Sequence, residues 1–234
     1  MRVSRRWVLP VFLVLLKVQG HLANVFAALM ATVLACTVGV VLDLRLHLGG
    51  FLTILGGVAA LMWMVMDKDK TNYTKRVYIL LLFGLLQGFS LGNLVAVVLD
   101  TDPGILITAL LATTTIFGCF AGSALVAKRR SLLYLGGLIS STMMVLMLAS
   151  IINLFLRLPF LFDIQLYVGL FMFCGYVMFD SQIIVEKACQ GDRDYPMHAA
   201  ELFLDFVGIF VRICIILLRK DKKTEKNSRS SVYR

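Results

Sequence analysis

Seven apolar stretches occupy most of this 234-residue chain. They are residues 22–42, 49–66, 77–99, 104–126, 132–156, 166–185 and 198–218. A helix of about 20 apolar residues crosses a hydrocarbon core of about 30 Å, and these stretches have about that length. Because no water is available inside a bilayer, such a segment must satisfy its own backbone hydrogen bonds. The sequence therefore predicts an all-α integral membrane protein.

The composition excludes several other classes of protein. Hydrophobic residues make up 59% of the chain and charged residues 16%, whereas soluble domains have roughly 45–50% and about 25%. This excludes a disordered chain, a coiled coil and a secreted scaffold. The net charge is +9, but the basic residues lie in short loops and the tail rather than on one face, so no nucleic-acid partner is predicted. Four of the five cysteines lie inside apolar stretches, without disulfide or zinc spacing.

The distribution of Lys and Arg predicts the orientation of the chain. The N-terminal segment and every second loop together carry 13 of these residues, and the alternate loops carry two. Cytoplasmic loops are enriched in Lys and Arg, so the N-terminus is predicted to be cytoplasmic. The residues after 218 carry seven more, which seven complete crossings would place on the opposite side. Six and seven crossings therefore both remain open, and we expect the C-terminus to be cytoplasmic.

Three parts of the chain are expected: an N-terminal cytoplasmic segment (1–21), a multispanning membrane domain (22–218) and a basic, disordered cytoplasmic tail (219–234). The first segment has the charged start and short apolar core of a signal peptide but no convincing small-residue cleavage site. The tail has no apolar periodicity, which predicts disorder. It would either contact anionic lipid or act only as a stop-transfer cluster.

The last apolar stretch contains three residues that are charged at neutral pH, Glu201, Asp205 and Arg212. Each costs at least about 2.5 kcal/mol near a membrane helix centre. The segment is therefore expected to be surrounded by protein, to line a wet cavity, or to enter and leave on one side. The spacings i, i+4 and i, i+7 place the three side chains on broadly one helix face. Arg212 would neutralise Asp180, bind a backbone carbonyl or extend to the interface, and Glu201 is expected at the water boundary.

Asp180 is the only charged residue within 166–185. An aspartate in lipid is costly unless it is hydrogen-bonded, protonated, paired or hydrated, so Asp180 and Asp205 are predicted to face each other. Two adjacent carboxylates titrate as a unit, which suits a proton-operated latch. Deprotonation would open the contact and expose oxygen ligands for weak, transient Ca²⁺ binding. In the alternative interpretation, each Asp binds a neighbouring polar group and only sets helix register.

Other motifs point to packing rather than to chemistry. Glycines recur every four residues in the third and fourth stretches and predict close helix contacts: Gly84, Gly88, Gly92, Gly118 and Gly122. The histidines lie at the edges of separate stretches, so no histidine metal site is predicted: His21, His47 and His198. No common hydrolase or nucleotide-binding motif is present. We therefore expect no cofactor and no enzymatic activity.

Several segments together resemble the Bax inhibitor family of multispanning proteins, in particular its eukaryotic members of the endoplasmic reticulum. They are 19–26, 127–137, 166–170, 179–182, 186–187, 191–195, 202–206 and the Lys-rich tail. Two departures stand out. The family's bacterial members carry a latch arginine near the cytoplasmic end of the second span, where this chain offers only Lys68 or Lys70, and residues 1–18 do not match the family's usual polar N-terminus.

The resemblance implies a bundle of six to seven transmembrane helices around a central C-terminal helix in the endoplasmic reticulum membrane. It also implies suppression of cell death and a pH-sensitive leak in which calcium is the permeant ion. The bilayer and other membrane death regulators are the implied partners. The family's paired aspartates fall on Asp180 and Asp205. Its pH-responsive basic tail matches Lys220, Lys222, Lys223 and Lys226.

Two other functions stay open. The protein could be a non-conducting scaffold that binds other death regulators in the membrane. It could also be an intramembrane aspartyl protease, because two membrane aspartates can share a proton and activate water. Such proteases carry Gly-x-Gly-Asp at one aspartate, and residues 202–205 lack that pattern. Oligomeric state is not indicated.

Overall fold

The computed structural model describes the backbone of residues 5–67, 72–127 and 134–232, and the side chains of residues 18–222 within those ranges. In this part of the chain there are seven helices and no strand: α1 (Arg5–Leu46), α2 (Phe51–Met66), α3 (Tyr73–Thr101), α4 (Pro103–Val126), α5 (Leu135–Leu156), α6 (Pro159–Cys189) and α7 (Tyr195–Val232). Each apolar stretch coincides with one helix. The prediction of an all-α protein is confirmed.

Among the described residues, five helical segments are long and apolar enough to cross a membrane: Val18–Leu46, Tyr73–Thr101, Pro103–Val126, Leu135–Leu156 and Pro159–Cys189. Helix α2 is apolar but has 16 residues, a length of about 24 Å at 1.5 Å per residue. Helix α7 is not among the five and carries the three charged residues of the last stretch. The chain is a multi-pass membrane protein.

Helix ends follow local sequence signals. Asp102 caps α4, because its carboxylate accepts the N–H of Gly104 at 2.8 Å while Pro103 occupies the first turn. Arg157 ends α5 in the left-handed conformation, with φ 49°. Pro159, which has no N–H to donate, then begins α6. These caps explain how the long helices follow one another with only a few residues between them.

The first and last helices extend beyond the expected membrane domain. We expected a disordered tail from residue 219, but α7 runs as an unbroken helix to Val232. The physical reason lies in the residue types, since no Gly or Pro follows Gly208 and Lys, Arg and Glu are good helix formers. A helix already nucleated in an apolar segment propagates through such residues at little cost. Helix α1 likewise begins at Arg5, well before residue 22.

The chain divides into two compact units. The first comprises Met1–Asn93 and Asp180–Phe203, and in it α1 packs closely on α3. A Cβ added at Gly88 would overlap the carbonyl oxygen of Cys36, and one at Gly84 would lie 2.8 Å from that of Thr32. The predicted close contact along the glycines of α3 is therefore confirmed. Asp43, which is 3% exposed, accepts the N–H of Gly49 between α1 and α2.

The second unit comprises Leu94–Phe179 and Leu204–Arg234. Phe117 of α4 packs edge-to-face on Phe206 of α7, with 5.6 Å between ring centroids. The predicted close packing at Gly118 and Gly122 is wrong, because a Cβ at either position would meet no atom of the described residues within 4 Å. Both glycines lie off the buried face of α4, which is formed by Ile105, Ala109, Thr113, Phe117, Ala121 and Ala124.

Candidate functional site

The two singled-out aspartates lie on helices that are consecutive in the chain. Asp180 is in the last third of α6, and Asp205 is about three turns into α7. Asp180 is half-buried and Asp205 is 4% exposed. Asp180 belongs to the first unit and Asp205 to the second. That the two carboxylates face each other stays a prediction.

Asp180 begins a polar segment inside an otherwise apolar helix. The next two residues, Ser181 and Gln182, are 2% and 5% exposed, and Glu186 one turn further is 8% exposed. Buried polar side chains on successive turns are costly in a membrane helix unless they meet other polar groups. The sequence analysis singled out only Asp180, because Ser181 and Gln182 carry no charge and Glu186 lies just beyond the predicted apolar stretch 166–185.

Glu201 forms an ion pair that the sequence did not predict. Its carboxylate lies 3.6 Å from Nζ of Lys187, and the two side chains are 27% and 39% exposed. Lys187 lies on α6 and Glu201 on α7, both within the first unit. That Glu201 lies at the water boundary stays a prediction.

Arg212 is held against α6 within the second unit. Its guanidinium carbon lies 4.3 Å from the ring centroid of Phe173, and Nη1 donates a hydrogen bond to the carbonyl oxygen of Gly208 at 3.1 Å. A Cβ at Gly169 would lie 2.5 Å from Nε of this arginine. A larger residue at position 169 would therefore displace the guanidinium of Arg212 from this position.

The basic residues at the end of α7 do not share one environment. Arg219 binds Asp163 of α6, and its guanidinium lies 4.4 Å from the ring centroid of Phe162. Lys220 and Lys222 are exposed. Lys223 and Lys226 are on the same helix, but their side chains lie outside the described part of the chain. The role of the four lysines in a pH response stays a prediction.

An almost fully buried ion pair of the first unit joins two residues that the sequence analysis did not connect. Arg76 is 1% exposed and Asp194 is 6% exposed. Two hydrogen bonds run from Arg76 to the carboxylate of Asp194, from Nε at 3.0 Å and from Nη2 at 2.6 Å, and Nη1 donates to the carbonyl oxygen of Met64 at 3.0 Å. Arg76 lies just outside the predicted apolar stretch 77–99, whereas α3 begins at Tyr73 and includes this arginine. Lys68 and Lys70, the proposed substitutes for a latch arginine, lie outside the described residues.

Asp194 has a second role at the start of α7. The backbone N–H of Met197 donates to Oδ1 of Asp194 at 3.4 Å, which is the arrangement of a helix N-cap. An aspartate followed by Tyr195 and Pro196 is a readable helix-start signal. Nothing local indicates its arginine partner, which lies 118 residues away.

His21 and His198 meet in the first unit, although the sequence placed them at separate helix edges. Nε2 of His21 lies 3.1 Å from Nδ1 of His198, and the rings are edge-to-face. The two residues are 8% and 1% exposed. A cavity of about 640 Å³ lies beside His21 and is also lined by Tyr73, Asp192 and Tyr195. Within the described residues, no group of three or more His, Cys, Asp or Glu side chains is placed to hold a metal ion.

Comparison with known proteins gives consistent matches over most of the chain. Residues 18–222 match the model of the family described as inhibitor of apoptosis-promoting Bax1. The chain is 41% identical over 213 residues to "Probable Bax inhibitor 1" of Paralichthys olivaceus, which covers 89% of this chain and 90% of the relative. It is 40% identical to "Bax inhibitor 1" of Arabidopsis thaliana over 89% of this chain and 84% of the relative. The chain is 39% identical to "Bax inhibitor 1" of Homo sapiens over 89% of this chain and 90% of the relative.

Proposed function

Because this chain belongs to the Bax inhibitor family, we propose that it is an anti-apoptotic protein of the endoplasmic reticulum membrane that lets Ca²⁺ leak into the cytosol. The names of the family and of its relatives support the connection with cell death. The leak and its dependence on pH are argued from the aspartates of α6 and α7. A lower store content would then reduce the calcium signal that promotes death.

The observation that carries the proposal is the burial of Asp205, whose side chain is 4% exposed on a helix of a membrane protein. An ionised carboxylate in such a place is expensive, so the group binds a proton, a cation or a polar partner. With Asp180 on the preceding helix, one shared proton would leave the pair with a single negative charge. Loss of that proton as pH rises would place two negative charges side by side and push the helices apart.

The open pair would then offer oxygen ligands to a passing Ca²⁺. Tight calcium sites in proteins use six to eight oxygen ligands, and two carboxylates supply fewer. A weak, transient site suits permeation because the ion must also leave. Glu201 and Arg212 are the candidate gate partners, and the basic residues Lys220, Lys222, Lys223 and Lys226 are candidates for tuning the pH response.

Both termini lie on the cytoplasmic side in this proposal. Seven basic residues after position 218 oppose transfer across the membrane, and α7 is not among the five segments that qualify as spans. An unbroken helix that crossed completely would carry the tail to the lumen. The proposal therefore requires that the shorter apolar helix α2 also crosses the membrane, which gives six crossings, and that α7 does not cross it from end to end.

The test is Ca²⁺ influx into liposomes that contain only the purified full-length protein, measured from about pH 6 to 8. Wild type should show flux that rises with pH, and Asp180→Asn and Asp205→Asn should flatten that dependence. Asp102→Asn is the matched control, because Asp102 is an exposed helix cap and Asn caps equally well.

Unchanged flux in both aspartate variants at every pH would contradict the gate. No flux from folded wild-type protein would contradict the leak. If the double variant Asp180→Asn/Asp205→Asn also protected cells from death normally, the protein would be a non-conducting scaffold for other membrane death regulators.

A further inference from the structure

Three charged residues follow one another at intervals of seven along α7: Asp205, Arg212 and Arg219. Seven residues are close to two helical turns, so the three side chains lie on one face and successive members are about 10 Å apart. All three belong to the second unit. Arg212 and Arg219 both contact α6, and each lies over a phenylalanine ring.

The two arginines differ in how their charge is balanced. Arg219 forms an ion pair with Asp163, so its charge is locally neutralised. Among the described residues, no carboxylate lies within ion-pair distance of Arg212. Its guanidinium contacts the ring of Phe173 and the carbonyl oxygen of Gly208. It lies beside Gly169, where a Cβ would come within 2.5 Å of Nε. The charge at this position is therefore fixed in place and not neutralised.

A fixed, unbalanced charge in an apolar helix is costly, and packing alone does not require it. A leucine or methionine would fill the same niche against Phe173 without that cost. What an arginine adds is a positive potential about 10 Å from Asp205, a distance comparable to the Debye length in physiological salt. A cation that approaches Asp205 from the tail side meets this potential.

We infer that Arg212 is a specificity-determining residue that limits cation flow through the proposed leak. It sets a positive barrier next to the carboxylate gate, so that the open pathway passes Ca²⁺ slowly. This inference rests on the proposed function, since a barrier requires a pathway. The leak and its barrier nevertheless give different experimental results.

The experiment compares full-length variants in liposomes at a pH where wild type conducts. Arg212→Gln removes the charge, whereas Arg212→Lys keeps it and loses the planar stacking on Phe173. Arg45→Gln is the control, because it removes one charge from an exposed position at the end of α1 that has no role in the proposed leak. Ca²⁺ flux is measured at low salt and at about 0.5 M monovalent salt, and retention of an uncharged dye checks that the vesicles stay sealed.

Arg212→Gln should raise Ca²⁺ flux about tenfold at low salt, because one unit charge no longer repels a divalent ion, and high salt should reduce the difference to about twofold. Arg212→Lys and Arg45→Gln should stay within about twofold of wild type. Equal flux in wild type and Arg212→Gln would overturn the inference. An equal rise in Arg212→Lys, or release of the dye, would also overturn it, since packing rather than charge would then be responsible. No wild-type flux would contradict the leak itself and the barrier with it.

Discussion

Arg76 and Asp194 are joined by a two-pronged, almost fully buried ion pair across 118 positions of the chain. Arg76 lies in the first turn of α3, and Asp194 caps the start of α7. The third contact of the guanidinium, to the carbonyl oxygen of Met64, brings in the end of α2. A single arginine thus joins three chain segments within the first unit.

Arg76→Ala should lower the free energy of unfolding by about 3–5 kcal/mol, because it leaves the carboxylate of Asp194 buried without its arginine. The measurement is unfolding of the purified protein in mixed detergent micelles. Lys187→Ala is the control, since the side chains of Lys187 and its partner Glu201 are both partly exposed, at 39% and 27%. Exposed pairs contribute about 0–1 kcal/mol. Equal losses of unfolding free energy in the two variants would show that the buried pair contributes no more to stability than the exposed one.

Two glycine substitutions should change stability in opposite directions. Gly88→Ala places a Cβ against the backbone of Cys36 and Gly39, and overpacking of this kind costs about 1–3 kcal/mol. Gly118→Ala meets no atom within 4 Å and should stabilise the protein by about 0.5–1 kcal/mol, because alanine is the better helix former. Unfolding in detergent measures both. A loss at Gly118 as large as that at Gly88 would contradict the described rotation of α4.

The hydrogen bond between His21 and His198 predicts strong coupling between these positions. His198→Ala should cost about 1–3 kcal/mol, because the buried ring of His21 loses the partner it has in the described structure. The double variant His21→Leu/His198→Leu should cost less than the sum of the two single leucine variants. A double-mutant cycle measures the difference. Strict additivity would show that the two rings do not interact.

The side of the membrane on which the tail lies can be measured directly. A peptide tag after Arg234 should be removed by protease from sealed microsomes without detergent, because the basic residues favour a cytoplasmic position. A glycosylation acceptor inserted between α3 and α4 is the control for the lumenal side. A protected tag would mean that the unbroken α7 crosses the membrane completely.

Much of the fold could be predicted from local patterns. The seven apolar stretches became helices because apolar length and backbone self-satisfaction are properties of a segment by itself. The close contact at Gly88 was predicted, whereas the contact at Gly118 was not found. Both glycines have the same spacing in the sequence, and only the rotation of each helix decides whether its glycines face a neighbour. The spacing of glycines in the sequence does not specify how a helix is rotated about its own axis.

For the candidate site, cost arguments identified Asp180, Glu201, Asp205 and Arg212, because a charge in an apolar stretch is visible in the sequence. They did not identify Arg76, because it lies just before the apolar stretch 77–99 and nothing in the sequence indicates that it is buried. The prediction of a disordered tail after residue 218 was also wrong. A segment without apolar periodicity can still be helical when it consists of good helix formers.

The sequence by itself determined that the chain is helical, that it belongs in a membrane, and which charges are expensive there. These are properties of residue types and of spacings within about one helix length. Only the tertiary structure decided which partners those charges meet. It joined Arg76 to Asp194, His21 to His198 and Arg212 to Phe173. Such pairs depend on how helices distant in the chain pack together, because short-range periodicity specifies a face of each helix but not the residue that the face will contact.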